Sequence, residues 1–190
     1  MNTELKPLVA MPAEFDGIKY RSRNEARWAI FFKELGIIFA YEDEGFDLGG
    51  GIRYLPDFHI PLQDKFKRDM YFEIKPSASG LIIVDESDKK KIEALSNHVF
   101  ISVLGSVHDY SINLNNLFGS SGYDFAGPNC GDCDYLFCQC KHCGAIGFEY
   151  CGRSERIDCC SKNNGWKDYN ESSDEIQNAL EIAKSHRFWK

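Results

Sequence analysis

Apolar residues recur along the first part of the chain at a spacing that predicts one helix followed by strands. Ser22 to Glu25 matches a helix-capping box, apolar residues follow it at intervals of three and four, and Gly36 marks a stop. Beyond this helix, a period of two predicts three strands, over residues 37–48, 54–60 and 70–75. Pro56 and Pro61 indicate that the second of these strands is irregular or lies at a sheet edge.

The rest of the chain continues the α/β pattern. Two further elements are predicted, a helix over residues 85–97 and a buried strand over residues 99–104. Helix, three strands, helix and strand in this order predict an α/β fold with a mixed sheet. Residues 105–129 are polar and predict a connector, and a last helix is expected to begin at 172–175. Its apolar face would be formed by Ile176, Ala179, Leu180 and Ala183. The aromatic residues at 188–189 are expected to dock on the body of the protein.

The predicted strands bring three charged residues close together. Glu73 and Lys75 share one face of their strand, and Asp57 lies on the preceding strand. Magnesium prefers a few carboxylates together with water and phosphate oxygens, so Asp57 and Glu73 could hold such an ion, with the carbonyl of Ile74 as a further ligand. Lys75 would orient the attacking water or stabilise developing negative charge. The set predicts metal-assisted hydrolysis of a phosphodiester bond.

Glu25 has two interpretations, and the sequence leaves both open. As an early residue of the first helix, it can cap a backbone N–H group and interact with the helix dipole. Its spacing from Trp28, Ala29 and Phe32 also places it at the end of the buried stripe, where its carboxylate can point toward the sheet.

Composition and charge change this picture only in part. The formal net charge of −7 counts against nucleic-acid binding through overall basicity. Basic residues nevertheless cluster locally, at residues 19–27, 65–68 and 89–91. No apolar run approaches the length of a membrane span, and the first residues do not have the pattern of a signal peptide. We therefore expect a soluble cytoplasmic protein without a membrane partner.

All eight cysteines lie between Cys130 and Cys160, which predicts a metal site rather than a set of disulfides. Cys140 and Cys143 form a CxxC turn followed by glycine, as in a zinc knuckle, and Cys159 and Cys160 follow at a zinc-ribbon spacing. We predict one structural Zn²⁺ held by these four residues. A short polar segment cannot fold on hydrophobic burial alone, so the ion would hold it together.

The choice of zinc ligands stays open within this segment. Cys130 and Cys133 form a second CxxC, and Cys138, His142 and Cys151 are also available. Adjacent cysteines rarely bind one ion comfortably, so Cys138 or Cys151 could replace either Cys159 or Cys160. Two zinc ions are a further alternative. The segment could bind nucleic acid through basic residues near it, Arg153, Arg156 and Lys162, or it could only brace the rest of the fold.

Five short motifs together resemble the PD-(D/E)xK nuclease superfamily. In chain order they are Tyr20-Arg21-Ser22-Arg23, Glu25-Ala26-Arg27-Trp28, Tyr41-Glu42, Tyr54-Leu55-Pro56-Asp57-Phe58 and Phe72-Glu73-Ile74-Lys75. Within that superfamily the chain resembles the small nuclease-like proteins that are frequent in phages and mobile elements. The resemblance covers roughly residues 15–104. It departs from the pattern at Pro76, where such proteins often carry glycine, and this leaves the core signature intact.

The resemblance implies a restriction-endonuclease-like core, a mixed sheet flanked by helices, with Mg²⁺ or Mn²⁺ at the site. It implies that the catalytic residues are Glu25, Asp57, Glu73 and Lys75. Arg21 and Arg23 flank the start of the first helix and could hold the substrate backbone, or they could form an ordinary solvated helix turn. One lysine of the 89–91 run would approach the phosphate; the choice among the three is open, and Lys90 stands for them.

These observations predict a chain in three parts: a nuclease-like core at 1–120, a cysteine-rich zinc-binding segment at 121–170 and a helix at 171–190 that docks on the core. The predicted function is that of a Mg²⁺-dependent deoxyribonuclease, acting in a bacterial host cell and encoded by a phage or by the host. One alternative is a non-catalytic module on a nuclease fold that binds nucleic acid or a host or phage protein. A purely structural zinc protein ranks last, because it leaves the grouped acids and the lysine unexplained.

Overall fold

A computed structural model describes residues 10–61, 69–78, 81–110, 122–124, 135–150, 160, 169–170 and 173–189. The first helix, α1, spans Arg23–Glu34. It begins where predicted because the Ser22 side chain accepts a hydrogen bond of 3.1 Å from the backbone N–H of Glu25. It ends at Leu35, and Gly36 then takes a positive φ of 66° that glycine adopts without steric cost.

The central sheet has five strands in the order β11-β10-β7-β6-β3. Their bounds are Ala40–Tyr41 (β3), Phe58–Ile60 (β6), Met70–Ile74 (β7), Ile101–Leu104 (β10) and Gly122–Asp124 (β11). Strand β7 runs parallel to β10, and the other neighbours pair antiparallel, so the sheet is mixed. The α/β class and the mixed sheet are therefore confirmed.

The two faces of this sheet are covered by different helices, because the side chains of β7 alternate between them. Met70, Phe72 and Ile74 join the larger core together with residues of α1 and of α3, which spans Asp174–Ser185. Tyr71 lies in a second cluster with Ile92 of α2, which spans Glu86–Ser96. The predicted apolar face of α3 is buried as expected.

The prediction of single strands over 37–48 and 54–60 is wrong. Each stretch contributes a short strand to the central sheet and another to a separate hairpin, made of β4 (Phe46–Asp47) and β5 (Arg53–Tyr54). Pro56 lacks an N–H group and cannot take part in a continuous ladder, so the chain leaves the hairpin and re-enters the sheet only at Phe58. Asp57 therefore lies in the bend immediately before β6.

Two other sequence predictions also need correction. The predicted connector contains β11, which pairs with β10 and forms an edge of the central sheet. Of the two final aromatic residues, Phe188 packs against the core, but the side chain of Trp189 is 90% exposed. Strand β11 has only three residues, which is too short to give a recognisable alternation within the polar connector.

The cysteine-rich segment contributes a hairpin that packs into the main core. Strands β12 (Tyr135–Cys140) and β13 (Ile146–Tyr150) pair antiparallel, and β14 (Tyr169–Asn170) pairs with β12. Phe137 and Phe148 are fully buried in the same cluster as Trp28 and Phe72, with Phe137 and Phe148 ring centroids 4.7 Å apart. The hairpin thus completes the packing beneath the central sheet.

Two small pairings and one property of the helices complete the description. Strands β1 (Ala13–Phe15) and β2 (Ile18–Tyr20) form a hairpin ahead of α1, and β8 (Ser77–Ala78) pairs with β9 (Leu81–Ile82). Among the helices in the described part of the chain, none has the length and apolarity needed to cross a membrane.

Candidate active site

A cleft of about 600 Å³ opens where β7 and β10 end and α1 begins. Its lining includes the residues predicted for catalysis and two of those predicted for substrate binding: Arg21, Arg23, Glu25, Asp57, Glu73 and Lys75. The structure therefore places these six residues at one site. Lys90, the third predicted substrate-binding residue, lies exposed on α2 and is not among the lining residues.

One wall of the cleft is the turn after β10, which α1 holds in place. The backbone carbonyl of Gly105 accepts hydrogen bonds from the indole N–H of Trp28 at 2.8 Å and from the Asn24 amide at 3.2 Å. The backbone N–H of Ser106 donates to the Ser77 hydroxyl at 2.8 Å. These bonds tie the ends of both parallel strands to the start of the helix.

Asp57 joins the bend before β6 to the end of β7. Its side chain is buried, and one carboxylate oxygen, Oδ2, accepts a 2.6 Å hydrogen bond from the backbone N–H of Ile74. The other oxygen, Oδ1, contacts the guanidinium of Arg21. Burial is the main cause that raises the pKa of Asp57 well above its ordinary value, and the nearby carboxylates of Glu73 and Glu25 raise it further.

Glu73 has a buried carboxylate whose two oxygens differ in their contacts. Its Oε1 atom lies 2.8 Å from the Lys75 ammonium nitrogen, whereas its Oε2 atom is buried without a hydrogen bond from any described residue. Burial raises the pKa of Glu73, and this outweighs the lowering by the Lys75 ammonium and by the nearby Tyr54 hydroxyl.

Lys75 lies between two carboxylates, one of which the sequence did not predict. Its ammonium contacts Glu73 and also Asp88, a residue in the first turn of α2. Burial alone lowers the pKa of Lys75, but the two acids outweigh it, so the pKa is raised and the ammonium form is favoured. Within the 89–91 run, Lys91 contacts Asp88 at 3.4 Å. The available signal for Asp88 in the sequence was its place in an acidic first helical turn.

Glu25 fulfils both roles that the sequence left open. Its Oε2 atom accepts a 3.1 Å hydrogen bond from the backbone N–H of Arg21, just before the helix cap, and a 2.5 Å hydrogen bond from the Tyr41 hydroxyl. The residue is buried and lines the cleft. The helix start and strand β3 are therefore joined through this carboxylate at the rim of the site.

Glu42 is a second acidic residue to which the sequence assigned no role. Its Oε1 atom lies 2.9 Å from Nε of Arg21, whose terminal nitrogen contacts Asp57. Its backbone has a φ of +50°, which is uncommon outside glycine, and its N–H donates to the Asp57 carbonyl at 3.0 Å. The signal in the sequence that could have identified Glu42 was its position in the Tyr41-Glu42 motif.

The donor set suits a hard divalent cation. Two buried carboxylates face the same cleft, and Oε2 of Glu73, which makes no hydrogen bond within the described part of the chain, is a buried acceptor of the kind that such a cation satisfies. The backbone N–H of Ile74 is engaged with Asp57, so this residue is fixed at the site where its carbonyl was predicted to be a ligand. Arg23 lines the same cleft, and its Nε atom is buried without a hydrogen bond from the described residues.

A separate group of cysteines could bind a metal ion such as zinc. The sulfur atoms of Cys140, Cys143 and Cys160 all lie within 4.8 Å of one another. The Cys140 and Cys160 sulfurs are 3.8 Å apart, whereas a disulfide requires about 2.05 Å. Three of the four predicted ligands are thus brought together; the fourth, Cys159, lies outside the described residues.

The local backbone explains this arrangement. Gly144 has a φ of +71°, which lets the chain turn sharply after Cys143, and its N–H donates to the Cys140 carbonyl at 2.9 Å. Backbone N–H groups of Cys160 and Ala145 point toward the Cys143 sulfur and lower the pKa of that thiol. Cys138 is buried on the same strand as Cys140 but is not a member of the group, and His142 is exposed.

Comparisons of the chain with protein-family models, with curated proteins and with solved structures found no match.

Proposed function

We propose that this protein is a divalent-metal-dependent nuclease that hydrolyses phosphodiester bonds, with DNA as the expected substrate, on a restriction-endonuclease-like fold. The observation that carries the proposal is the pairing of buried Asp57 and Glu73 with Lys75 at one end of the sheet. Burying two carboxylates together is unfavourable unless a cation neutralises them. A purely structural role offers no reason to retain such an arrangement.

Asp57, Glu73 and the Ile74 carbonyl would hold Mg²⁺ or Mn²⁺. A bound ion of this kind acts as a Lewis acid toward a phosphate oxygen and lowers the pKa of its bound water. Lys75 is charged and fixed between Glu73 and Asp88, so its ammonium can orient the attacking water and stabilise negative charge as the bond breaks. Glu25 completes the site by fixing the backbone of Arg21.

The substrate strand would lie along the cleft beside the start of α1. Arg23 lines the cleft there, and the N-terminus of a helix favours an anion. The net charge of −7 then means that attraction to DNA comes from local cations and the bound metal. Lys90 is exposed on α2 and is a candidate for contacts with more distant phosphates.

The cysteine group would hold a structural Zn²⁺. Zinc in structural sites takes four ligands in a closed tetrahedron, and the described residues supply three sulfurs, from Cys140, Cys143 and Cys160. We assign Cys159 as the fourth ligand, as the spacing predicts. The role of this ion would be to fix the hairpin whose Phe137 and Phe148 fill the core.

The test is a cleavage assay with labelled single-stranded, double-stranded and branched DNA in the presence of Mg²⁺ or Mn²⁺. We expect Asp57→Asn and Lys75→Met to reduce the rate by roughly 10²-fold or more, since each removes a metal ligand or a positioned cation. Lys33→Met is the matched control, because Lys33 forms an exposed ion pair with Asp16 away from the cleft. It should cut at the wild-type rate.

The proposal fails if no DNA substrate is cut, or if Lys75→Met cuts as well as Lys33→Met. DNA binding that persists without any cleavage would instead favour the non-catalytic binding module on the same fold.

A further inference from the structure

We propose that Arg21 is an internal counter-cation of the metal site: it neutralises Asp57 before the metal ion binds, and the ion then displaces it toward a phosphate of the nucleic acid. The inference rests on the proposed function, since it assigns a further step to the same site. It makes Arg21 a competitor of the metal ion in the free protein and a partner of the substrate in the complex.

The competition follows from how the two oxygens of Asp57 are used. Oδ2 is engaged by the backbone N–H of Ile74 at 2.6 Å, deep in the fold, so Oδ1 is the oxygen that a cation entering from the cleft would meet. The guanidinium of Arg21 already contacts Oδ1. A divalent cation bound at that oxygen would be repelled by the adjacent positive charge, so the two cannot occupy the position together.

Arg21 is able to leave this position without disturbing the core. Its side chain is 58% exposed, whereas that of Asp57 is only 2% exposed. Its backbone is anchored separately, because its N–H donates to Glu25 at 3.1 Å. The side chain can therefore move while the residue stays at the mouth of the cleft.

Glu42 determines how far the side chain can move. Its Oε1 atom forms an ion pair with Nε of Arg21 at 2.9 Å, and that contact is distinct from the one between the terminal nitrogen and Asp57. Its positive φ of +50° is an unfavourable backbone conformation for glutamate, and such conformations persist where the surrounding structure and function require them. With Nε retained by Glu42, the terminal nitrogens of Arg21 can turn from Asp57 into the cleft.

A phosphate group is the expected new partner. Arg23 lines the same cleft with a donor that has no partner among the described residues, so a turned Arg21 would complete a pair of guanidinium groups at the start of α1. Guanidinium groups bind phosphate through two parallel hydrogen bonds. Metal ion and substrate would thereby favour each other's binding, because each is complementary to the displaced position of Arg21.

The first experiment measures Mn²⁺ binding by calorimetry without DNA, in wild-type and variant proteins that retain their zinc. We expect Arg21→Gln to bind Mn²⁺ roughly three- to tenfold more tightly, because the competing charge is gone. Lys33→Gln is the control: it removes one positive charge from the exposed Lys33–Asp16 ion pair, outside the cleft lining, and we expect a change of less than about twofold. Unchanged or weaker Mn²⁺ binding by Arg21→Gln would overturn the inference.

The second experiment measures DNA binding in a Lys75→Met background, with and without Mg²⁺. Addition of Mg²⁺ should tighten DNA binding, and Arg21→Gln should lose most of that gain, about tenfold. An equal gain in both proteins would contradict the displacement of Arg21.

A third measurement needs no substitution and so does not depend on the folding of a variant. The Nε–H resonance of Arg21 in the wild-type protein should shift on addition of Mg²⁺, because its terminal nitrogens leave Asp57. A resonance that stays in place while Mg²⁺ saturates the site would overturn the inference.

These results separate the inference from the proposed function. If wild-type protein binds Mn²⁺, Asp57→Asn abolishes this binding and DNA is cut, the metal site stands whatever Arg21→Gln does. In that case, failure of Arg21→Gln to bind Mn²⁺ more tightly removes only the role of Arg21. If wild-type protein neither binds Mn²⁺ nor cuts DNA, both proposals are wrong.

Discussion

Asp57 shows how the proposed chemistry opposes stability at a single residue. Its carboxylate is buried beside Glu73 and Glu25, and Arg21 offsets this cost only in part, so its pKa in the folded protein lies well above that of an ordinary carboxyl group. The folded state therefore takes up a proton on Asp57 more readily than the unfolded state does. Without a bound cation, the ionised form of Asp57 is a source of instability at neutral pH.

We predict that Asp57→Asn raises the free energy of unfolding at neutral pH, measured without added Mg²⁺, by about 1–2 kcal/mol, which is roughly 2–8 °C in Tm. The asparagine is neutral and can still accept the hydrogen bond from the Ile74 N–H. In the wild-type protein, the protonated carboxyl of Asp57 contributes to the free energy of unfolding. This contribution is fully present below about pH 4 and is lost as the pH rises through the raised pKa of Asp57. The stability gain of the variant should therefore grow with pH.

Thermal unfolding over a series of pH values, with zinc retained, checks this prediction. Added Mg²⁺ should stabilise the wild-type protein much more than Asp57→Asn, because the ion would relieve the same repulsion. A variant that is less stable than wild type at neutral pH would contradict the assignment of Asp57 as a strained acid.

At the scale of elements, the cleft depends on a close approach between the turn after β10 and the residues after β7. A Cβ atom added at Gly105 would lie 3.0 Å from Ile82 and 3.1 Å from the Ser77 side chain, which is closer than side chains normally pack. The same turn is bonded to Asn24 and Trp28 of α1. Glycine is needed here for space, since no positive φ is required of it.

We predict that Gly105→Ala lowers the free energy of unfolding by about 1–3 kcal/mol and also lowers the cleavage rate, because the turn must shift away from Ser77. Gly45→Ala is the control, since the nearest atoms to its added Cβ would be at 3.7 and 3.8 Å, an ordinary contact distance. Denaturant unfolding and cleavage assays of the two variants check this. Equal stability of the two variants would show that the turn after β10 adapts freely.

At the scale of the whole molecule, the cysteine hairpin and the proposed catalytic core share one hydrophobic interior. Phe137 packs against Phe31 with ring centroids 5.0 Å apart, and Phe148 packs against Phe72, also at 5.0 Å. Phe72 precedes Glu73 on β7, so the packing of the hairpin bears directly on the strand that carries the acid. Loss of order in the hairpin would therefore reach the site.

We predict that removal of the proposed zinc ion destabilises the entire fold in a single transition. Cys140→Ser should abolish stoichiometric zinc and lower the free energy of unfolding by about 2 kcal/mol or more, since loss of a structural metal belongs to the large effects. The measurements are zinc content and thermal unfolding followed by Trp fluorescence. Cys138→Ala is the control that should keep its zinc, because Cys138 lies outside the sulfur group. A separate early transition that leaves the core folded would argue that the hairpin is independent.

Much of this organisation could be predicted because it depends on neighbours in the sequence. The Ser22 cap and the alternation of β7 are local patterns, and the structure has both where expected. The prediction of one strand over 54–60 was wrong. Alternation of apolar and polar residues shows which side chains share a face, but it does not show which strand is the pairing partner. Trp189 was assigned to the core on hydrophobicity alone, and no surface of the described fold covers it.

The sequence alone identified the acids and the lysine of the proposed site. The period of two in the strands and a short motif together point to Asp57, Glu73 and Lys75. Tertiary structure decided which charges surround them. Glu42 reaches Arg21 from the position after strand β3 and Asp88 reaches Lys75 from α2, and these contacts span 21 and 13 residues respectively. Coulombic interaction depends on distance in space and on burial, which only the folded chain fixes. The sequence thus determined the acids and the lysine, and the fold determined the counter-charges that hold them.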